Sequence, residues 1–378
     1  MRTAVISDLH LGTIVCADLA RDPELCVTLL DELAGADRVV LLGDVLELRD
    51  RPVGEILELA SPFLELLGAA MGGGEVVLVP GNHDHRLAEQ LLERHSLGHP
   101  SRLGLEHRFE PTSELAAGIA ERVRPARLSL AYPGLRLRED VWATHGHYLD
   151  CHMAIPTIEC LSAAATMRVV GAIPDPAIPD DYERAIGPIY GFSWGFAQAR
   201  GPQRIGGRAR PTTAVWRRLN GDRSGGLRSR FLGSVAFPAA ARGLSRALKR
   251  RFDTDISPPG ISRAGLLAMR EVLGRLGVQD DYVVFGHTHR PGPLDRDDLS
   301  EWKLGNGGRL HSTGSWNYSP GLCGPTPERS LFWPGTVTWI GDEGPPERRE
   351  LLHGRSHAEL DAAMRRTVAA GKRAAARV

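Results

Sequence analysis

The chain has 378 residues, 42% hydrophobic and 24% charged, and its 46 basic and 46 acidic side chains cancel to zero net charge. The balance is that of a globular enzyme and excludes a disordered or collagen-like chain, while the lack of any uninterrupted apolar stretch of about 18 residues excludes a membrane-spanning helix by sequence. Cys16, Cys26, Cys151, Cys160 and Cys323 form no Cys-x-x-Cys pair, and their odd number argues against a disulfide framework. With no apolar leader ahead of the first motif at position 8, the expected compartment is the cytoplasm.

Taken in chain order, Arg2 to Ser7 reads as a buried strand that ends in Asp8-Leu9-His10. Extended backbone there would point Asp8 and His10 to the same side. Residues 17 to 34 and 54 to 71 read as helices, the first with Asp22-Pro23-Glu24 as its start. Between them, Arg38 to Leu42 is a second strand, leading into Gly43-Asp44. Glu75 to Pro80 leads in the same way into Gly81-Asn82-His83-Asp84. Residues 85 to 138 form a longer excursion with helical pattern near Glu114 to Val123. Trp142 to Thr144 delivers His145-Gly146-His147, and Tyr282 to Phe285 delivers Gly286-His287-Thr288-His289. Leu266 to Leu276 is an amphipathic helix ahead of that last strand. Arg309 to Trp316 and Val337 to Ile340 read as late strands, and His357 to Arg377 as an alanine-rich terminal helix. Each block alone has a plainer explanation as a strand-to-loop turn. What sets the five apart is their shared residue types and their place at the C-terminal ends of apolar strands, where open α/β sheets put their sites.

The ordered set D-x-H, G-D, G-N-H-D, H and G-H-x-H resembles the calcineurin-like metallophosphoesterases, over roughly residues 1 to 150 and 280 to 320. The resemblance implies an α/β fold, an αββα four-layer sandwich of two sheets, here with a large, mostly helical insertion. It also implies two divalent metals (manganese, iron or zinc, with manganese expected in vitro). Asp8, His10 and His289 would hold one, Asn82, His145 and His287 the other, and Asp44 would bridge them. His83 would protonate the leaving group and Asp84 would orient it.

Those residue types suit the chemistry. Two metals about 3.5 to 4 Å apart share a carboxylate and a hydroxide, lower the pKa of the bound water and clamp a phosphoryl oxygen for in-line attack. Imidazole with carboxylate favours zinc, iron and manganese over calcium and magnesium. His85, His147 and His152 lie near the ligands in sequence and are candidates for fixing their tautomers. His95, His99, His107, His311, His353 and His357 stand in no motif and are left out of the site.

The expected organisation is a catalytic domain in two parts, 1–150 and 263–353, separated by an insertion at 151–262 and followed by a helical tail at 354–378. In the insertion, Tyr182, Tyr190, Phe192, Trp194 and Phe196 would either roof the cleft or build a small core of their own. Its basic run, 200–251, carries thirteen Arg and one Lys against the single acid Asp222, so this stretch holds +13 and the rest of the chain −13. Such a field attracts anions.

The function expected from these readings is hydrolysis of a phosphomonoester or phosphodiester by attack of a metal-bridging hydroxide. The Arg-rich segment leaves two variants open, a nuclease and an enzyme on an anionic membrane surface, with Leu227 to Phe252 lying on the lipid. The Ser7-to-Leu11 and Gly286-to-Pro291 blocks are also distantly similar to the bacterial UDP-2,3-diacylglucosamine hydrolases, which are shorter and commonly carry Gly-Asn-Arg-Asp. A scaffold that has lost turnover is the reading from another class, and it would normally lack a ligand or the acid. No oligomeric state is readable.

Overall fold

The computed structural model describes residues 1–97, 102–200, 243, 245–248 and 250–375. The near-continuous Val, Leu and Ile runs of β1 (Thr3–Ile6), β2 (Arg38–Leu42) and β3 (Glu75–Val79) are buried along almost their whole length, as parallel strands covered on both faces are. Helices α1 (Pro23–Leu33) and α2 (Val53–Met71) make the crossovers between them. The expected start of α1 is realised: Asp22 accepts a hydrogen bond from the Leu25 amide at 3.2 Å and Pro23 opens the first turn. The predicted helix from residue 17 is shortened, because Leu19–Arg21 form a separate 3-10 turn ahead of that cap.

The excursion after β3 holds three elements placed only loosely by the sequence. A short helix α3 (Glu89–Ser96) is followed by strand β4 (Glu106–Phe109) and by α4 (Glu114–Arg122), which Ser113 caps. The chain then enters the long strand β5 (Arg127–Arg138). Its first residues pair in parallel with β3 and its last in antiparallel with β6 (Val141–Thr144). Parallel pairing continues through β7 (Tyr282–Phe285) to β9 (Arg309–Thr313), with β8 (Pro291–Gly292) at the edge. On the other side β1 takes β10 (Thr336–Ile340) and then β11 (Glu347–Glu350), both antiparallel.

The two sheets expected from the sequence are therefore two halves of one hydrogen-bonded sheet, ordered β11-β10-β1-β2-β3-β5-β6-β7-β9-β8 among the described residues. Period-two alternation sorts its side chains. Ala4, Ile6, Val39, Leu41 and Val76 share a core with Leu29 and Leu33 of α1 and Phe63 and Leu67 of α2. Val5, Val40, Val77 and Val79 share another with Leu135, Val141, Ala143 and Val284 of the second half. The halves thus pack face to face, which is the sandwich of the expected α/β class. The terminal helix α8 (His357–Ala375) adds Leu360 and Ala363 to the first core.

The chain divides into two compact units, Met1–His147 with Tyr190–Gly207 and Gln279–Val378, and Tyr148–Ile189 with Arg208–Val278. The second contains α5 (Ile158–Val170), the first half of α6 (Pro179–Ala199) and α7 (Pro258–Leu276). Helix α7 starts earlier than its apolar pattern suggested because Ser257 caps it and prolines fill its first turn. Within this unit Tyr148 and Tyr182 stack at 4.7 Å, and His152 Nε2 lies 3.0 Å from the Tyr182 hydroxyl. Tyr182 is thus part of a local core. Arg250 donates to the carbonyls of Asp150 and Met153. Most of the basic run 200–251, and with it the proposed lipid-facing stretch from Leu227, lies outside the described residues. No described helix is long and apolar enough to cross a membrane.

Candidate metal centre

All nine residues singled out by the motifs lie in the first unit, at the C-terminal ends of β1, β2, β3, β6 and β7. The expectation that Asp8 and His10 are extended does not hold. Asp8, His10, Asp44, His287 and His289 all have left-handed backbone, with φ of 53°, 47°, 51°, 64° and 58°. Non-glycine residues take that conformation at a cost of order 1–3 kcal/mol each. The loops are held in it by an extension of the β1–β2 ladder: the Asp8 amide donates to the Gly43 carbonyl, His10 to Asp44 and Leu11 to Val45, at 2.8 to 3.0 Å. The strands thus end abruptly, and each side chain is presented by a tight turn.

Space is the second constraint. A Cβ on Gly43 would lie 2.3 Å from His145 Nδ1, and one on Gly81 would lie 2.4 Å from Asp44 Oδ1. The glycines ahead of Asp44 and Asn82 are where the neighbouring ligand side chains go.

The donor atoms fall into overlapping groups. Asp8, His10 and His289 place one candidate ligand atom each within 4.8 Å of the others; Asp44, His145 and His287 do the same, and so do His10, Asp44 and His83. In the first group His10 Nε2 faces His289 Nε2 at 3.1 Å, and His289 Nε2 lies 3.3 Å from Asp8 Oδ1. Asp44 Oδ2 reaches toward both sides, 3.7 Å from His10 Nε2 and 3.4 Å from His145 Nε2. Asp8, Asp44 and His145 are buried, whereas His289 is 25% exposed and marks the open side.

Hydrogen bonds around the group leave lone pairs pointing inward. His145 Nδ1 lies 2.9 Å from the Leu42 carbonyl and His10 Nδ1 lies 3.2 Å from Glu47 Oε2. Each acceptor fixes the proton on Nδ1 and frees Nε2 as a ligand. Asp8 Oδ2 accepts from the Ser7 hydroxyl and the His287 amide, and Oδ1 is buried with no donor. Asn82 has two orientations that require different things. With Oδ1 inward it stands 3.2 Å from His145 Nε2 and 3.1 Å from His287 Nδ1, so that three lone pairs converge when both ring nitrogens are unprotonated. Turned over, its amide donates to Asp44 and its oxygen accepts from Arg49 at 3.0 Å. The first arrangement fits a cation and the second a metal-free pocket. On both the donor set and the orphaned Asp8 oxygen, the residues fit two divalent metals.

Without metal, protons take over that role. Burial would lower His10 and His145, yet hydrogen bonding to Glu47 and the charge of Asp44 push His10 up to about 9. Asp44 and Asp8 push His145 up to about 10. Burial equally opposes the charge on Asp44, but the charge and hydrogen bond of His145 hold its carboxyl well below the usual range. His83 goes the other way. Burial outweighs Glu47 and Asp44 and lowers it to about 3, so the free protein keeps it neutral.

Two placements differ from the sequence expectation. Asp84, expected to orient His83, instead accepts from the backbone amides of Gly81, Asp44, Val45 and Leu46 at 2.6 to 3.3 Å. It pins the two ligand loops together. The carboxylate on His83 Nδ1 is Glu47, with both oxygens at 2.7 Å. Glu47 and Arg49 were missed, although an acid three residues after Asp44 was there to be read. Of the flanking histidines, His147 stands 5.6 Å from His145 by ring centroids and 3.2 Å from the Tyr132 hydroxyl. His85 lies 5.1 Å from Tyr190. His152 belongs to the other unit.

The model of the calcineurin-like phosphoesterase family matches residues 1–181. Those residues are a calcineurin-like phosphoesterase domain. The chain thus carries a metal-dependent phosphoesterase domain, and beyond the matched segment His287 and His289 fall in the candidate ligand groups with Asp8, His10, Asp44 and His145. Among solved structures, a dimetal phosphatase from Danio rerio aligns over 92% of this chain and 98% of its own at 12% identity and a TM-score of 0.30, a likeness too loose to carry a functional inference. No curated protein matches the chain.

Proposed function

We propose that the chain cleaves a phosphomonoester or phosphodiester at a two-metal site in which Asp8, His10 and His289 hold one metal, Asn82, His145 and His287 the other, and Asp44 both. The observation that carries this reading is the chain of overlapping donor groups, Asp8–His10–His289 linked through His10 to a group with Asp44, and Asp44 in turn shared with His145 and His287. When bound, the two cations would supply the nucleophile by acidifying water and would neutralise phosphoryl charge. The chain does the rest. Ser7 and the His287 amide orient Asp8, Leu42 and Glu47 set the tautomers of His145 and His10, and Asp84 ties the loops. His83 turns Nε2 toward Asp44 at 3.9 Å with Nδ1 on Glu47. It would gain its second proton only alongside an anionic phosphoryl group, whose charge favours the imidazolium, and would pass it to the leaving oxygen.

The test is turnover of p-nitrophenyl phosphate and bis-p-nitrophenyl phosphate by metal-depleted protein with manganese, then iron or zinc, added back. Asp44→Ala should lose both bound metal and turnover; an undiminished rate would sink the assignment. Preference for one ester identifies a mono- or a diesterase. His83→Ala should keep its metals and lose rate on poor leaving groups by about 10²- to 10⁴-fold, with activated esters spared. Equal loss on both would remove His83 as the acid.

A further inference from the structure

The last ten residues of α6 belong to the unit that holds the metal centre, and their two faces differ in kind. Toward the protein, Tyr190 lies 5.1 Å from His85 and 5.7 Å from His147, the Arg86 guanidinium covers the Trp194 ring at 4.4 Å, and Gln198 accepts from the Val53 amide at 2.9 Å. These contacts recur at the three-to-four-residue spacing of one helix face. The opposite face is open. Phe192 is 75% exposed and Phe196 53%, their rings run nearly parallel at 6.2 Å, and the Arg200 guanidinium lies 4.5 Å from the Phe196 ring. Among the described residues, Gly191 and Gly195 beside them have nothing within 4 Å of where a Cβ would stand. A helix held firmly on one side thus presents adjacent bare phenyl rings to water on the other, which marks an interaction surface rather than a solvated face.

Charge names the partner. After Glu183 the next acidic residue is Asp222, and the 52 residues from Arg200 carry +13. We propose that this face of α6 docks on an anionic phospholipid bilayer. Phe192 and Phe196 enter the boundary between headgroups and acyl chains, and Arg200 beside them meets a lipid phosphate. A nucleic-acid strand would use the same charge and stack bases on the exposed ring faces, whereas a bilayer buries both neighbouring rings whole, edges as well as faces. Because the inner side of the same turns packs on His85 and His147, and His147 neighbours the candidate ligand His145 at 5.6 Å, lipid docking would bear directly on the wall of the metal site.

The experiment is co-sedimentation of the full chain with vesicles of phosphatidylcholine alone or mixed equally with phosphatidylglycerol, with single-stranded RNA as competitor. The wild type should pellet with the mixed vesicles and stay in solution with phosphatidylcholine alone. Phe192→Ser/Phe196→Ser should cut partitioning by about tenfold or more while its melting temperature and its turnover of a soluble ester stay at the wild-type level. Arg200→Glu, which leaves the rings in place, should weaken binding as well. The proposal is overturned if the mixed vesicles do not pellet the protein, if the double variant binds like the wild type, if phosphatidylcholine binds equally well, or if RNA is bound while vesicles are not.

Discussion

Glu47 touches two imidazoles at once, His10 Nδ1 at 3.2 Å and His83 Nδ1 at 2.7 Å. One carboxylate therefore sets the tautomer of a proposed ligand and the orientation of the proposed acid. Glu47→Ala should weaken metal uptake by about 10- to 100-fold, the usual scale for losing such a support, as measured by calorimetric titration. Uptake at the wild-type level would mean that packing alone fixes His10. The seven proposed ligands and His83 were legible in the sequence because each sits in a short block whose neighbours signal a strand end. Glu47 and Arg49 were not, since acids and arginines after a strand usually face solvent, and only the fold of the loop turns these toward Asn82 and His83. Asp84 was legible as a site residue but not in its placement, because the amides it accepts from belong partly to the loop after β2.

At the level of the elements, Asp22 does two jobs. It caps α1 through the Leu25 amide and pairs with Arg366 of α8, Nε to Oδ2 at 2.7 Å, with its own side chain fully buried. Asp22→Ala should cost about 1–3 kcal/mol, the cap contributing about 1–2 kcal/mol and the pair, half-exposed on the arginine side, less than about 1 kcal/mol. Asp22→Asn keeps the cap and should recover most of the loss. Urea unfolding of both variants measures the split, and equal losses would assign the effect to the ion pair instead. The sequence announced this cap because Asp-Pro-Glu ahead of an apolar stripe has few other uses. It hid β5, whose Arg127–Arg138 run includes Pro133 and Gly134 in mid-strand and so reads as a turn. The pair lies where the strand changes partner: Leu130 is its last pairing with parallel β3 and Gly134 its first with antiparallel β6.

For the whole molecule, two histidines outside the metal centre set an acid limit. Burial lowers His311 of β9 and His152 of the second unit to about 4 each, the latter helped by Arg275. A histidine near 6.5 in the unfolded chain then takes up a proton before its folded counterpart does. Stability contributed by the neutral rings is therefore full above pH 6.5, declines as the pH falls, and is gone below about 4. Each contributes on the order of 2–4 kcal/mol at most. Denaturant midpoints measured between pH 7 and 4 should fall, and His311→Gln should flatten that fall without changing its sign; an unchanged slope would show that other groups dominate. The interleaving of the sheet has a consequence for how the protein is made. Asp8, Asp44, Asn82 and His145 are synthesised early, yet His287 follows His145 only after roughly 140 further residues. At ~5–20 residues per second, the growing chain carries an unfinished set of the proposed ligands for roughly 7–28 s. If the proposed ligands bind as assigned, the ribosome-bound protein is then a partial chelator, open to whichever ion the cell offers first.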